Sequence, residues 1–190
     1  MQGMFFTGNS VVEAINIDKV GPTSGEVLLE MKASGVCGSD LKNFRAPKSD
    51  KPKQSDLKVP GHEPVGVVAE VGPNVGGLSV GDRVMMHHYT GCLQCSMCLT
   101  GYTQMCLVAH EVYGSTEHGG HQEYMLVPAY TCIPMPEGLD FVSAAACSCG
   151  TGTAFHAVKR LNPTGLDLSL IHIRRCRRYS LCRSRWSPYH

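Results

Sequence analysis

Four cysteines crowd into "GCLQCSMCLTGYTQMC", residues 91–106, at Cys92, Cys95, Cys98 and Cys106. Two residues between neighbouring cysteines let a turn fold back and offer both sulfurs to one ion. The spacing Cys-x2-Cys-x2-Cys-x7-Cys therefore supplies a closed shell of four thiolates around a tetrahedral zinc. Such a shell leaves no position for water or substrate, so its role is structural. Free thiols, a disulfide pair and an iron–sulfur cluster are the rivals; the common cluster spacings match this run only partly.

A second group has the makings of an open site. "GVCGSD" contributes Cys37, "GHEPVGVVAEVG" contributes His62 and Glu63, and "CSCGTGTAF" offers Cys147 or Cys149. Two thiolates and an imidazole would leave a fourth position on a metal free for water or an alcohol. Adjacent residues of a strand point to opposite sides, so His62 and Glu63 are not expected to bind equally well together. Each residue alone has a plainer account, a small buried hydrophobe for cysteine or a hydrogen-bonded core histidine.

The elements that must position these residues read mainly as strands. "VVEAINIDKV" and "GEVLLEMKASGV" alternate around the turn cluster "GPTSG"; "VGVVAEVG", "VGDRVMMHH" and "EYMLVPAYTCIPMP" are β-branched or apolar runs bounded by Gly and Pro. "RAPKSDKPKQSDLK", 45–58, reads as an exposed loop, and "GLDFVSAAACSCGTGTAFHAVKRL" as a helix broken by Gly and Thr at 150–153. This pattern predicts a mainly β, barrel-like domain with one or two appended helices. There is no internal repeat.

Bulk composition narrows the class. The chain has 190 residues, 43% apolar and 17% charged, as a soluble globular protein does. No apolar run reaches the roughly 20 residues that cross a bilayer, and the N-terminus lacks a signal-peptide pattern. Ten cysteines in such a chain point to a reducing compartment, hence a cytoplasmic location. The net charge of +1 averages two unlike parts: residues 1–167 hold 11 Lys and Arg against 16 Asp and Glu, a balance of −5, and residues 168–190 hold six arginines and no acid.

Taken together, "GHEPVGVVAEVGPNV", the four-cysteine loop, "GVCGSD", "GDRV" and "EYMLVPA" resemble the medium-chain zinc-dependent alcohol dehydrogenases over about residues 8–165. Gly61, His62, Glu63, Gly66, Gly72 and Val75 fall where that family's zinc signature wants them. The resemblance implies a GroES-like β-barrel catalytic domain with a zinc-binding lobe at 91–107, two zinc ions per chain and a nicotinamide cofactor, NAD or NADP. It implies that Cys37, His62 and Cys149 hold the catalytic zinc, with Glu63 able to join as a fourth ligand, and that Cys147 is helix core. It implies that Asp40 orients the histidine, that Ser39 takes the proton of the substrate hydroxyl, and that Thr153 touches the nicotinamide ring. The zinc would acidify a bound alcohol and the cofactor would accept its hydride. Lys42 stands where many relatives place a histidine that completes the proton relay.

The family's next element, a strand followed by G-x-G-x-x-G and a helix, does not follow. After "HAVKRLNPTGLD" the residues "LSLIHIRRCRRYSLCRSRWSPYH" contain no glycine and resemble a translated sequencing-library adapter. The expected organisation is thus a catalytic domain at 1–149, the start of a helix leading to an absent cofactor domain at 150–167, and a non-native tail at 168–190. Such a chain binds zinc, holds a dinucleotide weakly if at all, and is inactive alone. Its parent acts on a small-molecule alcohol or polyol, with no nucleic-acid or membrane partner, as a homo-oligomer. The alternatives are a stand-alone zinc-binding β-module and a zinc-free reductase of the same superfamily.

Overall fold

A computed structural model describes residues 1–48 and 58–162. The interior of the expected loop at 45–58 and the arginine-rich tail, together with 163–167, lie outside the described residues. The chain divides into two units, Met1–Gly152 and Thr153–His190.

In the first unit, strands β3 (Glu26–Gly35), β4 (Glu63–Val71), β5 (Arg83–Met86), β6 (Tyr124–Pro128) and β7 (Cys132–Pro134) form one antiparallel sheet in the order β6-β3-β4-β5-β7. A hairpin of β1 (Gln2–Gly8) and β2 (Val11–Asn16) turns at Asn9 and Ser10, both at positive φ (52° and 61°) as the tight primed hairpin turns require. The hairpin is tied to the segment entering β6: Met4 N donates to His121 O at 2.8 Å and Glu123 N to Gln2 O at 3.1 Å. The N-terminal half of β1 is thus held to the sheet by way of residues 121–123. The mainly β class with few helices is as the sequence predicts.

β3 is paired on both edges, so its backbone is satisfied and its side chains are free to pack. Val27 and Leu29 point to one face and are fully buried with Val68, Val84, Met125 and Val127. A second cluster sets Val65 against Ala144 and Ala145 of α3 (Phe141–Ala146). Helix α3 starts cleanly because Asp140 caps it, its carboxylate accepting from Ser143 N at 2.9 Å. Arg83 of β5 donates to Leu139 O and lies 4.7 Å from the Phe141 ring, which pins the start of that helix to the sheet.

Two expectations change. The helix is not broken at 150–153: α3 runs into a π-type wide turn, Cys147–Thr151, and on into α4 (Gly152–Leu161). Gly152 N–H donates to Cys147 O five residues back, so the extra residue is absorbed as a wider turn rather than a stop. The run "EYMLVPAYTCIPMP" is two strands, because Pro128 has no N–H to continue the ladder and a short 3-10 turn, Ala129–Thr131, intervenes. In the second unit, α4 exposes Phe155, Val158 and Leu161 at three-residue spacing.

Candidate metal centres

The thiol-rich lobe follows β5. Helix α2 (Ser96–Leu99) and a 3-10 turn at Thr103–Met105 bring Cys92, Cys95, Cys98 and Cys106 together, every sulfur within 4.8 Å of the others. The sulfurs of Cys92 and Cys98 are 4.0 Å apart, and those of Cys95 and Cys106 are 3.9 Å apart. A disulfide would need about 2.05 Å. A zinc tetrahedron with bonds of about 2.3 Å has edges of about 3.8 Å, so the spacing fits an ion and not a covalent staple.

The backbone prepares two of these sulfurs for ionisation. The amide of Leu107 heads the causes that lower the pKa of Cys95, and the amide of Cys92 heads those that bring Cys106 down to about 6. Burial instead pushes the Cys98 thiol up to about 12, so an ion must displace that proton to bind. Gly91 is required here: a Cβ on it would lie 2.7 Å from the Cys98 sulfur.

The second centre gathers Cys37 from the segment after β3, His62 and Glu63 from the start of β4, and Cys149 from the wide turn. Their ligand atoms all lie within 4.8 Å of one another. His62 and Glu63 both reach the centre, against the alternation argument, because His62 precedes the strand and its backbone bends there. Gly61 at φ +100° makes that bend possible, a conformation costly for any residue with a Cβ. Cys147, two residues before Cys149, is half-buried and stays out of the cluster.

Asp40, the first residue of helix α1 (Asp40–Arg45), is buried and fixes two partners at once. One oxygen accepts from Cys37 N at 2.8 Å and the other faces His62 Nδ1 at 3.2 Å. His62 Nε2 is left for a metal, and Ser39 Oγ lies 3.4 Å from it. The amide and hydroxyl of Ser39, then His62, lower the Cys37 thiol to about 7; burial first, then the Cys37 charge, pushes Cys149 up to about 11. Lys42 is exposed on α1. Thr153 is exposed on α4, in the other unit.

Two histidines beside this centre escaped the sequence reading. His88 is buried, its ring centroid 5.0 Å from that of His62, and its Nδ1 has no hydrogen-bond partner. Burial, then the His62 and His87 charges, lowers its pKa to about 4. His121 packs against Gly61, and burial lowers its pKa, opposed in part by the Asp40 charge. The available signals were "HHY" immediately before the cysteine loop and the histidine of "GGHQEY".

Comparison with known proteins follows this geometry. The family model for the alcohol dehydrogenase GroES-like domain matches residues 23–137. This chain belongs to that alcohol dehydrogenase family. It is 33% identical over 178 residues to a zinc-type alcohol dehydrogenase-like protein of Escherichia coli K12, covering 90% of this chain and 50% of that protein. It is 39% identical over 145 residues to an alcohol dehydrogenase of Geobacillus stearothermophilus, covering 75% of this chain and 42% of the relative. Acetophenone reductase from Geotrichum candidum, solved in complex with NAD, superposes with a TM-score of 0.74 at 31% identity, covering 87% of this chain and 48% of that one. The chain thus spans about half the length of the curated relatives it matches. All pairings between its described strands are antiparallel, and no Rossmann unit forms among the described residues.

Proposed function

We propose that this chain is the catalytic part, residues 1–149 with its zinc lobe at 91–107, of a zinc-dependent oxidoreductase that oxidises a small-molecule alcohol or polyol with NAD or NADP. The observation that carries the reading is the meeting of Cys37, His62, Glu63 and Cys149 around one point. Soft sulfur and imidazole donors with a carboxylate suit zinc, and the four-sulfur lobe suits a second, structural zinc. A zinc ion in the first centre would act as a Lewis acid on the oxygen of a bound alcohol.

The chain's own residues do the rest. Asp40 accepts the Nδ1 proton of His62 and so keeps Nε2 unprotonated for the metal. It also fixes the Cys37 backbone, which holds the thiolate and the imidazole in one register. Ser39 Oγ, beside His62 Nε2, stands where a hydroxyl proton can be taken up. Glu63 offers a carboxylate oxygen to the same centre, available as an alternative ligand.

The described residues offer no strand–turn–helix cradle for a dinucleotide, so the hydride acceptor belongs to sequence beyond them, with Thr153 on α4 its one assigned contact here. In this reading the full-length protein is a cytoplasmic homo-oligomer, residues 150–167 lead into its cofactor domain, and the chain alone turns nothing over. The test is turnover of the full-length protein with a panel of alcohols and both cofactors. Cys37→Ala should abolish turnover, and Cys95→Ala should chiefly lower Tm. Normal turnover in Cys37→Ala would overturn the assignment.

A further inference from the structure

The first unit holds a cavity of about 500 Å³ that shares no residue with either metal centre. Leu28 and Leu126, from β3 and β6, contribute apolar surface to it. Its charged lining is acidic: Asp18, Glu26, Glu111 and Glu117. Three cations meet this lining against the four acids. Lys58 pairs with Glu117 at 3.5 Å, and the Met1 ammonium donates to Ile17 O at 3.0 Å. Glu26 spends one oxygen on Thr23, while Asp18 and Glu111 pair with no cation among the described residues. Lys19 lies 4.1 Å from the ring of Tyr124, itself a lining residue, and pairs with Glu70 at 3.1 Å. The cavity therefore keeps a net negative charge at neutral pH.

Acidic groups alone would be a solvated surface. Tyr113 makes this a built site. Tyr113 is only 7% exposed, lines the cavity, and its hydroxyl makes no hydrogen bond among the described residues. Glu26, Glu111 and Glu117 line the same cavity as Tyr113. Gln122, 9% exposed, is held in the wall by its amide N–H, which donates to Gly119 O at 2.7 Å. The Tyr113 hydroxyl is not sealed from the cavity, so a ligand that enters it can hydrogen-bond there.

The ligand's class follows from the spacing. The acids do not gather to within 4.8 Å as the two metal centres do, so a bare divalent ion would reach too few of them. Carboxylates and neutral oxygens spread around an apolar floor instead suit a cation with several N–H donors and an organic body. We infer that this cavity binds a small aliphatic amine or diamine, its ammonium among Glu111, Glu117 and the Tyr113 hydroxyl, and its carbon chain on Leu28 and Leu126. His118 does not compete for the ammonium, because its Nδ1 already accepts from Val59 N at 3.1 Å.

Titration calorimetry of the purified full chain with cadaverine, and with the uncharged diol of the same chain length, tests the site. The diamine should bind saturably at one site, weaken with added salt, and raise Tm. The diol should give no saturable heat. Tyr113→Phe removes only the hydroxyl and Glu111→Gln only a charge; each should weaken diamine binding about tenfold while leaving the circular dichroism spectrum unchanged. Glu111 is exposed, so its variant carries the test even if Tyr113→Phe fails to fold. Absence of saturable diamine binding, equal binding of the diol, or wild-type affinity in a folded Glu111→Gln would overturn the inference.

Discussion

Asp40→Asn separates orientation of the metal-binding histidine from simple packing. The substitution keeps size and shape in a site only 5% exposed, so no cavity opens. One side-chain oxygen remains to accept from Cys37 N, now 2.8 Å from the carboxylate. The other position becomes an NH2 group facing His62 Nδ1 across 3.2 Å. That nitrogen must then accept, which drives the imidazole proton onto Nε2, the atom left for a metal. A protonated nitrogen cannot ligate, so binding has to repay either the tautomer or the lost hydrogen bond. Partners of this kind are worth about 10- to 100-fold in metal affinity, or about 1.4–2.8 kcal/mol. Competition against a chromophoric chelator reads this directly, because the four-sulfur lobe in the same chain is an internal reference that the change should not touch. Zinc affinity of the Cys37/His62/Cys149 centre within twofold of wild type would refute the assigned role of Asp40.

Three further outcomes follow from the geometry. Gly91→Ala should drive a methyl to within 2.7 Å of the Cys98 sulfur and 3.2 Å of Thr103, costing about 1–3 kcal/mol and taking metal from the lobe alone; zinc content of the two cysteine clusters by atomic absorption checks it. His88 binds its proton in the folded state only near pH 4, while the unfolded chain takes one up near 6.5. Stability attributable to it is therefore complete above pH 6.5 and falls by about 3 kcal/mol as pH drops toward 4, and urea titrations should show a shallower acid loss in His88→Phe. Phe155→Ser with Val158→Ser alters side chains 69% and 54% exposed, so Tm should stay unchanged while solubility rises; a fall of several degrees would show that the α4 face is covered.

Much of the site was legible because metal ligation depends on residue type and short spacing. Cys92, Cys95, Cys98 and Cys106 sit within one loop, and their grouping needs only local turns. Cys37, His62 and Cys149 span more than a hundred residues; the resemblance, not spacing, linked them, and the sheet with α3 brings them together. What sequence could not show arises from packing across strands. His88 follows β5 by two residues, and only the fold sets its ring on His62. The paired approach of His62 and Glu63 depends on a bend before β4 that strand alternation ignores. The wide turn at Cys147–Thr151 was read as a break because Gly150 and Gly152 weaken a helix, whereas a single longer hydrogen bond keeps it continuous. Tyr113 and Gln122 drew no notice, since a side chain's place in a cavity wall has no sequence signature.

Anomalous diffraction at the zinc edge, from crystals of the full chain grown with zinc, tests the central claim most directly. The account predicts two peaks, one inside the tetrahedron of Cys92, Cys95, Cys98 and Cys106, the other bounded by Cys37, His62 and Cys149 with a face open to solvent. A peak in the lobe alone, with those three side chains turned away from any ion, would contradict it.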